Sequence, residues 1–304
     1  APIRGHAEHP GDILRAADSA CYLAKRRGGK RVELHDPAVA PAVTRRDRDW
    51  ARKVVAAIEE DRLQLHAQRV LSLHGADGRA PRLELLLRLD QGRGDPLLPG
   101  AFLPAARRHG LMPRVDHWVI GRALRYLAAW REAHPGLGPP TVSINLGDET
   151  VSGGDVEPVV REALASSAVP PSALCFEIGE SVATTHAATS TRVVRELREA
   201  GCQVTLEHCG GGMAAFTLLR RMPVDYLKIA GHIVRGMARD PVDRVLATAL
   251  NDVGHALGLG TIGTEVESAD VLDALRGAGV DYAQGYRIRR PEPLDRALAR
   301  LTAG

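Results

Sequence analysis

The sequence has no large excess of charge of one sign, no long apolar run and no paired cysteines. In its 304 residues, 40 basic residues face 37 acidic ones, which gives a formal net charge of +3. This balance predicts no broad positively charged surface of the kind that binds DNA or RNA. No stretch reaches the roughly 18 consecutive apolar residues that a membrane-spanning helix requires. The sequence therefore favours neither a nucleic-acid-binding protein nor an integral membrane protein.

The cysteines indicate the cellular compartment, and the first residue indicates that more sequence lies upstream. The four cysteines form no Cys-x-x-Cys pair and no zinc-binding spacing, which indicates a reducing compartment. The chain carries no recognisable secretory signal, and we expect a cytoplasmic protein. Because Ala1 is not an initiator methionine, we also expect sequence upstream, where any sensory region or membrane tether would lie.

The N-terminal segment has the pattern of one helix and one strand. Apolar residues recur at helical spacing from Ile13 to Arg27, Gly28-Gly29 then ends the helix, and Arg31 to Leu34 indicates a strand. A lone helix and strand cannot bury an apolar face unaided. The stretch from Pro37 to Asp61 is helical in pattern and predicts a connector to the next domain.

Beyond residue 61, short apolar runs alternate with longer helical patterns, as in β/α proteins. The predicted strands are Leu63 to Leu71, Leu83 to Leu89, Thr141 to Leu146, Leu174 to Ile178, Cys202 to Leu206, Tyr226 to Ile229, Gly260 to Gly263 and Asp281 to Gln284. Eight strands over this length predict a TIM-type (β/α)8 barrel, whose chemistry gathers at the C-terminal ends of the strands. Polar residues stand near several of those ends, namely Asn145, Glu177, Glu207, Lys228, Glu267 and Gln284. Each alone could be a satisfied structural group, but six in one layer indicate a shared site.

Short motifs in a fixed order connect this barrel to a known family. The motifs are Glu84-Leu85-Leu86-Leu87-Arg88, Ser143-Ile144-Asn145, Glu177-Ile178-Gly179-Glu180, Leu227-Lys228-Ile229 and Gln284-Gly285-Tyr286, with Pro291 following. Each is weak alone. Together they make the stretch from Gln64 to Pro291 resemble the EAL family of cyclic di-GMP phosphodiesterases. The resemblance implies the barrel fold and a metal-dependent hydrolytic site.

The N-terminal segment resembles part of a second family. Its residues Ala17-Asp18-x-Ala20-Cys21-Tyr22 and the later Gly28 are similar to the closing helix of GGDEF domains, the diguanylate cyclases. We therefore expect a C-terminal GGDEF fragment over residues 1–36, a connecting helix over 37–61 and an EAL domain over 62–304. The cyclase signature itself would lie upstream of Ala1.

In the EAL family, two hard divalent cations, usually magnesium or manganese, activate a water and neutralise the phosphate. The resemblance places the surviving metal-ligand positions at Glu84, Asn145, Glu177 and Glu207. It places Lys228 near the attacking water, Glu267 at the second glutamate of a Glu-Gly-Val-Glu motif, and Gln284 as its partner. The positions equivalent to catalytic ones are thus Glu84, Lys228 and Glu267.

Several positions depart from the family pattern. Glu207 and His208 stand where the family has two aspartates, Thr264 replaces the first glutamate of Glu-Gly-Val-Glu, and Ala230 replaces the aspartate after Lys-Ile. Glu207 keeps its charge but moves it by roughly 1.5 Å, in a site whose metal distances hold within about 0.2 Å. His208 and Thr264 each remove a negative charge, and His208 offers a nitrogen where hard cations prefer oxygen. We therefore predict no bound metal and no effective catalysis.

Two alternatives stay open at these positions. A one-residue shift would bring Glu265 into the place of Thr264, although adjacent residues of a strand face opposite sides. His208 has three interpretations: a structural histidine of the loop, a transition-metal ligand beside Glu207, or a protonated partner of Lys228 that replaces missing metal charge. The run Gly210 to Gly212 predicts a mobile loop and not a P-loop, because no Lys-Ser or Lys-Thr follows it.

Ligand binding rests partly on other residues. The resemblance assigns Arg88 to a phosphate, Leu87 to the neighbourhood of a base, and Gln68 to the pocket, while a surface ion pair is the alternative for Arg88. The predicted ligand-binding set is Gln68, Glu84, Leu87, Arg88, Asn145, Glu177, Lys228, Glu267, Gln284 and Pro291. Without metals, the glutamates of this set would repel a ligand that carries two negative charges.

The function predicted from the sequence is a receptor or regulatory module for cyclic di-GMP within a GGDEF-EAL signalling protein. We expect no cofactor, other signalling proteins as partners, and a homodimer formed through the EAL domain. One alternative is a weak phosphodiesterase that uses magnesium or manganese and releases linear pGpG. The other is an interaction scaffold that binds no nucleotide.

Overall fold

The computed structural model of the chain describes residues 40–75, 80–210 and 217–302, together with positions 32 and 212. The helix predicted over Ile13 to Arg27 and most of the strand predicted over Arg31 to Leu34 lie outside these residues. The expected GGDEF fragment over 1–36 therefore stays a prediction.

Among the described residues, nine strands form one sheet. They are β1 (Leu63–Ser72), β2 (Arg82–Leu89), β3 (Thr141–Asn145), β4 (Leu174–Gly179), β5 (Gln203–Cys209), β6 (Tyr226–Ile229), β7 (Gly260–Gly263), β8 (Tyr282–Ala283) and β9 (Glu292–Pro293). Each of the eight strands predicted beyond residue 61 is present. The largest differences are β5, which continues beyond Leu206 to Cys209, and β8, which is limited to two residues.

The sheet closes into an eight-stranded barrel, which confirms the predicted fold. The strand order is β2, β3, β4, β5, β6, β7, β8 and β1, and the pairing of β1 with β2 closes the barrel. The short strand β9 pairs with His66 and Ala67 of β1. Strands β2 to β8 are parallel, but β1 is antiparallel to both neighbours. The connection between β1 and β2, residues 73–81, is too short for the helical crossover that parallel strands need. The reversal places Gln68 of β1 directly opposite Glu84 of β2.

Helices cover the outside of the barrel. They are α1 (Ala40–Glu59), α2 (Leu103–Arg108), α3 (Met112–Ala133), α4 (Asp148–Gly153), α5 (Val156–Ala165), α6 (Glu180–Thr185), α7 (Ala187–Glu199), α8 (Gly231–Gly236), α9 (Pro241–Ala256), α10 (Ala269–Gly277) and α11 (Leu294–Leu301). None of the helices within the described ranges has both the length and the apolar character needed to cross a membrane.

Apolar and polar side chains alternate along the strands, so that apolar ones face the helices and polar ones face the interior of the barrel. In β4, Leu174, Phe176 and Ile178 belong to the apolar core between sheet and helices and are fully buried. Cys175 and Glu177 lie between them and, because the side-chain period of a strand is two, face the barrel interior. The same strands thus build the core on one face and position polar groups on the other.

Helix α1 is docked on the barrel and is not a free linker. Val54 and Ala57 are fully buried in the main core. Arg108 of α2 donates two hydrogen bonds, each 2.8 Å long, to the two carboxylate oxygens of Asp47, which is itself buried. This bidentate geometry fixes the orientation of α1 more firmly than apolar contact alone.

Candidate functional site

A cavity of about 370 Å³ opens at the C-terminal ends of the strands. Its lining residues are Gln68, Glu84, Leu86, Asn145, Glu207, His208, Lys228, Thr264, Glu265, Glu267, Gln284, Gly285 and Tyr286. The fold therefore brings most of the predicted site residues to one place. Glu177 lies beneath them, fully buried, and reaches the site through Lys228.

Lys228 is the centre of a buried charge cluster. Its Nζ lies 2.7 Å from Glu84 Oε2 and 2.6 Å from Glu177 Oε2. Burial opposes the charged form of Lys228, but Glu177 and Glu84 outweigh this effect and raise the pKa of Lys228. The ammonium group therefore stays charged and bridges the two carboxyl groups. Most buried charges are paired in this way, because burial without a partner is costly.

Glu177 and Glu84 respond differently to the shared lysine. Burial and the nearby charge of Glu84 raise the pKa of Glu177 to about 8, despite the opposing effect of Lys228. Burial would also raise the pKa of Glu84, but Lys228, Asn145 and Gln284 together hold it below its ordinary value. The raised pKa of Glu177 favours a cluster of Glu84 carboxylate, Lys228 ammonium and protonated Glu177 at neutral pH, in which the charges of Glu84 and Lys228 cancel.

Amide side chains complete the hydrogen bonding of Glu84. Asn145 Nδ2 donates to Glu84 Oε1 at 2.9 Å, and Gln284 Nε2 donates to Glu84 Oε2 at 2.6 Å. Gln284 Nε2 also lies 3.0 Å from Gln68 Oε1, and Gln68 Nε2 donates to the carbonyl of Arg289 at 2.8 Å. Both oxygens of Glu84 are thus engaged by the protein.

Glu207 and His208 form a bulge in β5. Leu206 pairs with Leu227 and Cys209 pairs with Ile229, so two residues of β5 lie opposite the single Lys228. His208 adopts the left-handed backbone region with φ of 60°. The Glu207 side chain stays 16% exposed beside the cavity, whereas the His208 side chain is 74% exposed at its mouth. A hydrogen bond to Glu207 is the main cause that raises the pKa of His208.

The two residues after β7, Thr264 and Glu265, line the cavity but are engaged by other partners than Lys228. The Thr264 hydroxyl donates to the carbonyl of Ile229 at 2.9 Å. Glu265 has φ of 57° and forms an ion pair with Arg235 of α8 at the rim. No shift brings the carboxylate of Glu265 into the place of Thr264. Glu267 lines the cavity but is exposed.

The donor set does not fit a pair of hard cations. Both carboxylate oxygens of Glu84 are engaged by Asn145, Gln284 and Lys228, and His208 and Thr264 line the cavity without offering a carboxylate. Glu177 Oε1 is buried without a hydrogen-bond partner, and burial raises the pKa of Glu177, which favours its neutral form. Within the described ranges there is no group of three or more His, Cys, Asp or Glu side chains arranged to hold a metal ion.

Four residues of the predicted ligand-binding set do not line this cavity: Glu177, which lies beneath it, and Leu87, Arg88 and Pro291. Arg88 is partly buried and donates to the carbonyl of Leu87 at 2.8 Å, and burial lowers the pKa of Arg88. Leu87 lines an adjoining cavity of about 310 Å³, while Leu86 lines the candidate site. Glu84, Leu86 and Arg88 share one face of β2 because alternate residues point the same way. Pro291 is half-buried outside the lining.

Tyr286 lines the cavity but was absent from the predicted set. Its side chain is a large exposed aromatic group, 54% exposed, and the guanidinium of Arg290 lies 4.8 Å from the ring centroid. The Gln-Gly-Tyr motif already contained this residue. An aromatic ring at the mouth of a polar cavity is suited to stacking on a flat ligand.

Comparison with curated proteins finds relatives that act on cyclic di-GMP. The chain is 34% identical over 289 residues to "Cyclic di-GMP phosphodiesterase PdeB" of Shewanella oneidensis, covering 93% of the chain and 33% of that protein. It is 30% identical over 239 residues to "Cyclic di-GMP phosphodiesterase PdeF" of Escherichia coli, covering 78% and 31% respectively. The chain thus spans about a third of the length of these relatives.

Solved structures agree with the barrel geometry. The FimX EAL domain from Pseudomonas aeruginosa bound to c-di-GMP superposes with a TM-score of 0.73 at 28% identity, covering 80% of this chain and 96% of that one. The PaMucR phosphodiesterase in complex with c-di-GMP gives 0.75 at 26% identity, with 82% and 99% covered. The EAL domain model matches residues 51–291, which includes the end of α1. The chain therefore belongs to the EAL domain family.

Proposed function

We propose that the chain binds cyclic di-GMP at the candidate site and acts as a receptor or regulatory module without effective phosphodiester hydrolysis. Relatives described as cyclic di-GMP phosphodiesterases and an EAL domain bound to c-di-GMP support the ligand. The departures at Glu207, His208 and Thr264 support the loss of chemistry. We further propose a GGDEF fragment over residues 1–36 and a connector over 37–61, with the EAL domain over 62–304.

The observation that carries this proposal is where the two departures that remove negative charge lie. The His208 side chain is 74% exposed at the mouth of the cavity, and the Thr264 hydroxyl donates to the carbonyl of Ile229 at 2.9 Å. A two-metal hydrolase needs carboxylate oxygens at such positions to coordinate its cations. Neither His208 nor Thr264 supplies one, so we infer that a metal pair is held too weakly to activate a water. The Glu84-Lys228-Glu177 cluster beneath them keeps the residue types of the family, with Lys228 Nζ 2.7 and 2.6 Å from the two carboxyl groups.

The same cluster supports ligand binding without metals. Four ionised glutamates would repel a ligand with two negative charges, but protonation of Glu177, which its raised pKa favours, and the pairing of Glu84 with Lys228 remove two of those four charges. His208 at the mouth has a raised pKa and adds positive charge as it protonates. Tyr286 and Leu86 offer flat and apolar surface for a base.

Isothermal titration calorimetry with cyclic di-GMP, in the presence and absence of a chelator, tests the proposal. We expect equal affinity in both conditions and no linear product by chromatography. Tyr286→Ala should weaken binding by about tenfold, because loss of a stacking partner costs about 1–3 kcal/mol. Arg125→Ala, an exposed change on α3, is the matched control and should leave affinity unchanged.

The other two functions predict different results. Binding that disappears with the chelator, together with linear pGpG as a product, would replace the receptor by a weak manganese- or magnesium-dependent phosphodiesterase. Glu207 favours this second function, because it keeps a carboxylate beside the cavity. If titration with cyclic di-GMP produced no heat of binding, the remaining function would be a protein-interaction scaffold that binds no nucleotide. Analytical ultracentrifugation of the same samples tests the proposed homodimer.

A further inference from the structure

A second and larger cavity lies at the opposite end of the barrel. Its volume is about 860 Å³, and its lining includes Tyr226 at the start of β6, Gly260 at the start of β7 and Asp281 just before β8. We call it the N-terminal cleft. It shares no lining residue with the candidate site, which is formed at the C-terminal ends of the same strands.

Arginine side chains dominate the charge of the N-terminal cleft. Arg198 comes from the end of α7, and Arg220 and Arg221 come from the segment that leads into β6. Arg198 pairs with Asp225 at 3.1 Å. In the part of the chain that the structure describes, Arg220 and Arg221 form no ion pair. Several guanidinium groups in one concavity are suited to an oxyanion, which they bind through paired N–H donors.

The carboxylates of the cleft are already committed to the fold. Asp225 Oδ2 accepts the backbone N–H of Val204 at 2.8 Å. Asp281 Oδ2 accepts the backbone N–H of Thr261 at 2.7 Å and lies 2.9 Å from His255 Nε2. Both aspartates therefore cap strand starts, and neither neutralises Arg220 or Arg221.

A buried arginine adds positive charge behind the wall of the cleft. Arg82 is 7% exposed, and its guanidinium carbon lies 4.0 Å from the centroid of the Tyr226 ring. Its Nη1 donates to Gln203 and to the Tyr226 hydroxyl, but Nε and Nη2 have no hydrogen-bond partner. No described carboxylate pairs with Arg82. An uncompensated charge in a low-dielectric interior raises the positive potential of the nearby surface.

We propose that the N-terminal cleft is a second binding site, which takes a compact phosphate-bearing anion such as a pyrophosphate or the phosphate chain of a nucleotide. The volume lies within the range of small-molecule sites. The arginines converge from two neighbouring segments on one concavity, which matches several charges within one small molecule. The ligand at this end is independent of cyclic di-GMP at the other end.

Calorimetry with inorganic pyrophosphate and the whole chain tests the proposal. We expect saturable binding that weakens with added salt. The Arg220→Ala/Arg221→Ala variant should bind at least about tenfold more weakly, since two charge-assisted contacts are lost. Both side chains are exposed, so thermal unfolding should be unchanged. Arg125→Ala/Arg296→Ala removes the same charge from exposed positions on α3 and α11 and should bind as the unaltered chain does.

Competition separates this cleft from the candidate site. Saturating cyclic di-GMP should not displace pyrophosphate from the N-terminal cleft, and Tyr286→Ala should bind pyrophosphate normally. The proposal is overturned if the unaltered chain gives no saturable binding, if both double variants lose affinity equally, or if cyclic di-GMP competes. Tighter binding of a hexaglutamate peptide than of pyrophosphate would instead identify a surface for an acidic protein segment.

Discussion

The two ends of the barrel hold buried cations in opposite ways. At the C-terminal end, Lys228 lies between two carboxyl groups within 2.7 Å of each. At the N-terminal end, Arg82 rests against tyrosine rings and has no carboxylate partner among the described residues. An acidic end binds a phosphate only after cations or protons reduce its charge, whereas an arginine-rich end needs neither. We infer from this comparison that the balance of charge, more than the volume of the cavity, decides whether each end binds a phosphate group.

Removing the cation from the acidic end should have the largest effect. Lys228→Met leaves Glu84 and Glu177 facing each other in the barrel interior, and breaking a buried pair costs about 3–5 kcal/mol. Urea unfolding at neutral pH measures this loss. The deficit should shrink at low pH as the carboxyl groups become protonated, and Glu84→Gln added to Lys228→Met should recover part of it. A loss below about 1 kcal/mol would contradict a tightly paired cluster.

Restoring the family residues should convert the acidic end back toward a metal site. The variant with Glu207→Asp, His208→Asp, Thr264→Glu and Glu265→Gly returns oxygen ligands, and we expect manganese-dependent hydrolysis to rise by about 10–100-fold. Chromatography of linear pGpG measures it. Pyrophosphate binding at the N-terminal cleft should not change, which serves as the internal control. Equal hydrolysis by the unaltered chain would show that the departures cost little.

The sequence predicts the barrel well because its strands are buried on their outer face and are bounded by turn residues. The run Tyr226 to Ile229 and the run Gly260 to Gly263 are observed at the predicted bounds. The direction of β1 was not predicted. Strand direction depends on the length of the connection, and periodicity within residues 63–72 does not reveal it.

The resemblance located the layer in which the site residues lie, but it did not give their pairing. Gln284 was expected to partner Glu267, whereas its side chain donates to Glu84 and Gln68. The bulge at Glu207 and His208 was not predicted, because one extra residue in a short strand does not visibly change the alternation of apolar and polar residues. The N-terminal cleft was missed as well, since Arg198 and Arg220 are far apart in sequence and only the closure of the barrel brings them together.

A packing change at the N-terminal end should leave the other end intact. A Cβ at Gly260 would lie 2.7 Å from two carbons of the Tyr226 ring, so Gly260→Ala must displace the ring that stacks on Arg82. We expect a loss of about 1–3 kcal/mol and weaker pyrophosphate binding, with cyclic di-GMP affinity unchanged. Gly121→Ala is the control, because its Cβ would meet nothing within 4 Å on α3 and should stabilise that helix slightly. Equal stability of both variants would argue against close packing of Tyr226.

The smallest effect concerns the proton on Glu177. Burial raises the pKa of Glu177 from 4.5 to about 8, so the folded state holds this proton more tightly than the unfolded chain does. Its contribution to stability is therefore fully present below the unfolded pKa and is lost as pH rises through about 8.

Glu177→Gln keeps the shape but cannot titrate, so it should remove this pH dependence. Because Glu84 and Lys228 share the charge change, we expect the unaltered chain to lose about 1–2 kcal/mol more unfolding free energy than Glu177→Gln between mildly acidic and alkaline pH. Urea unfolding across that range measures it, with the exposed Glu162→Gln as control. If Glu177→Gln and the unaltered chain lose stability in parallel, Glu177 is ionised at neutral pH. The acidic end would then carry an additional negative charge and would need a cation before it could accept a phosphate.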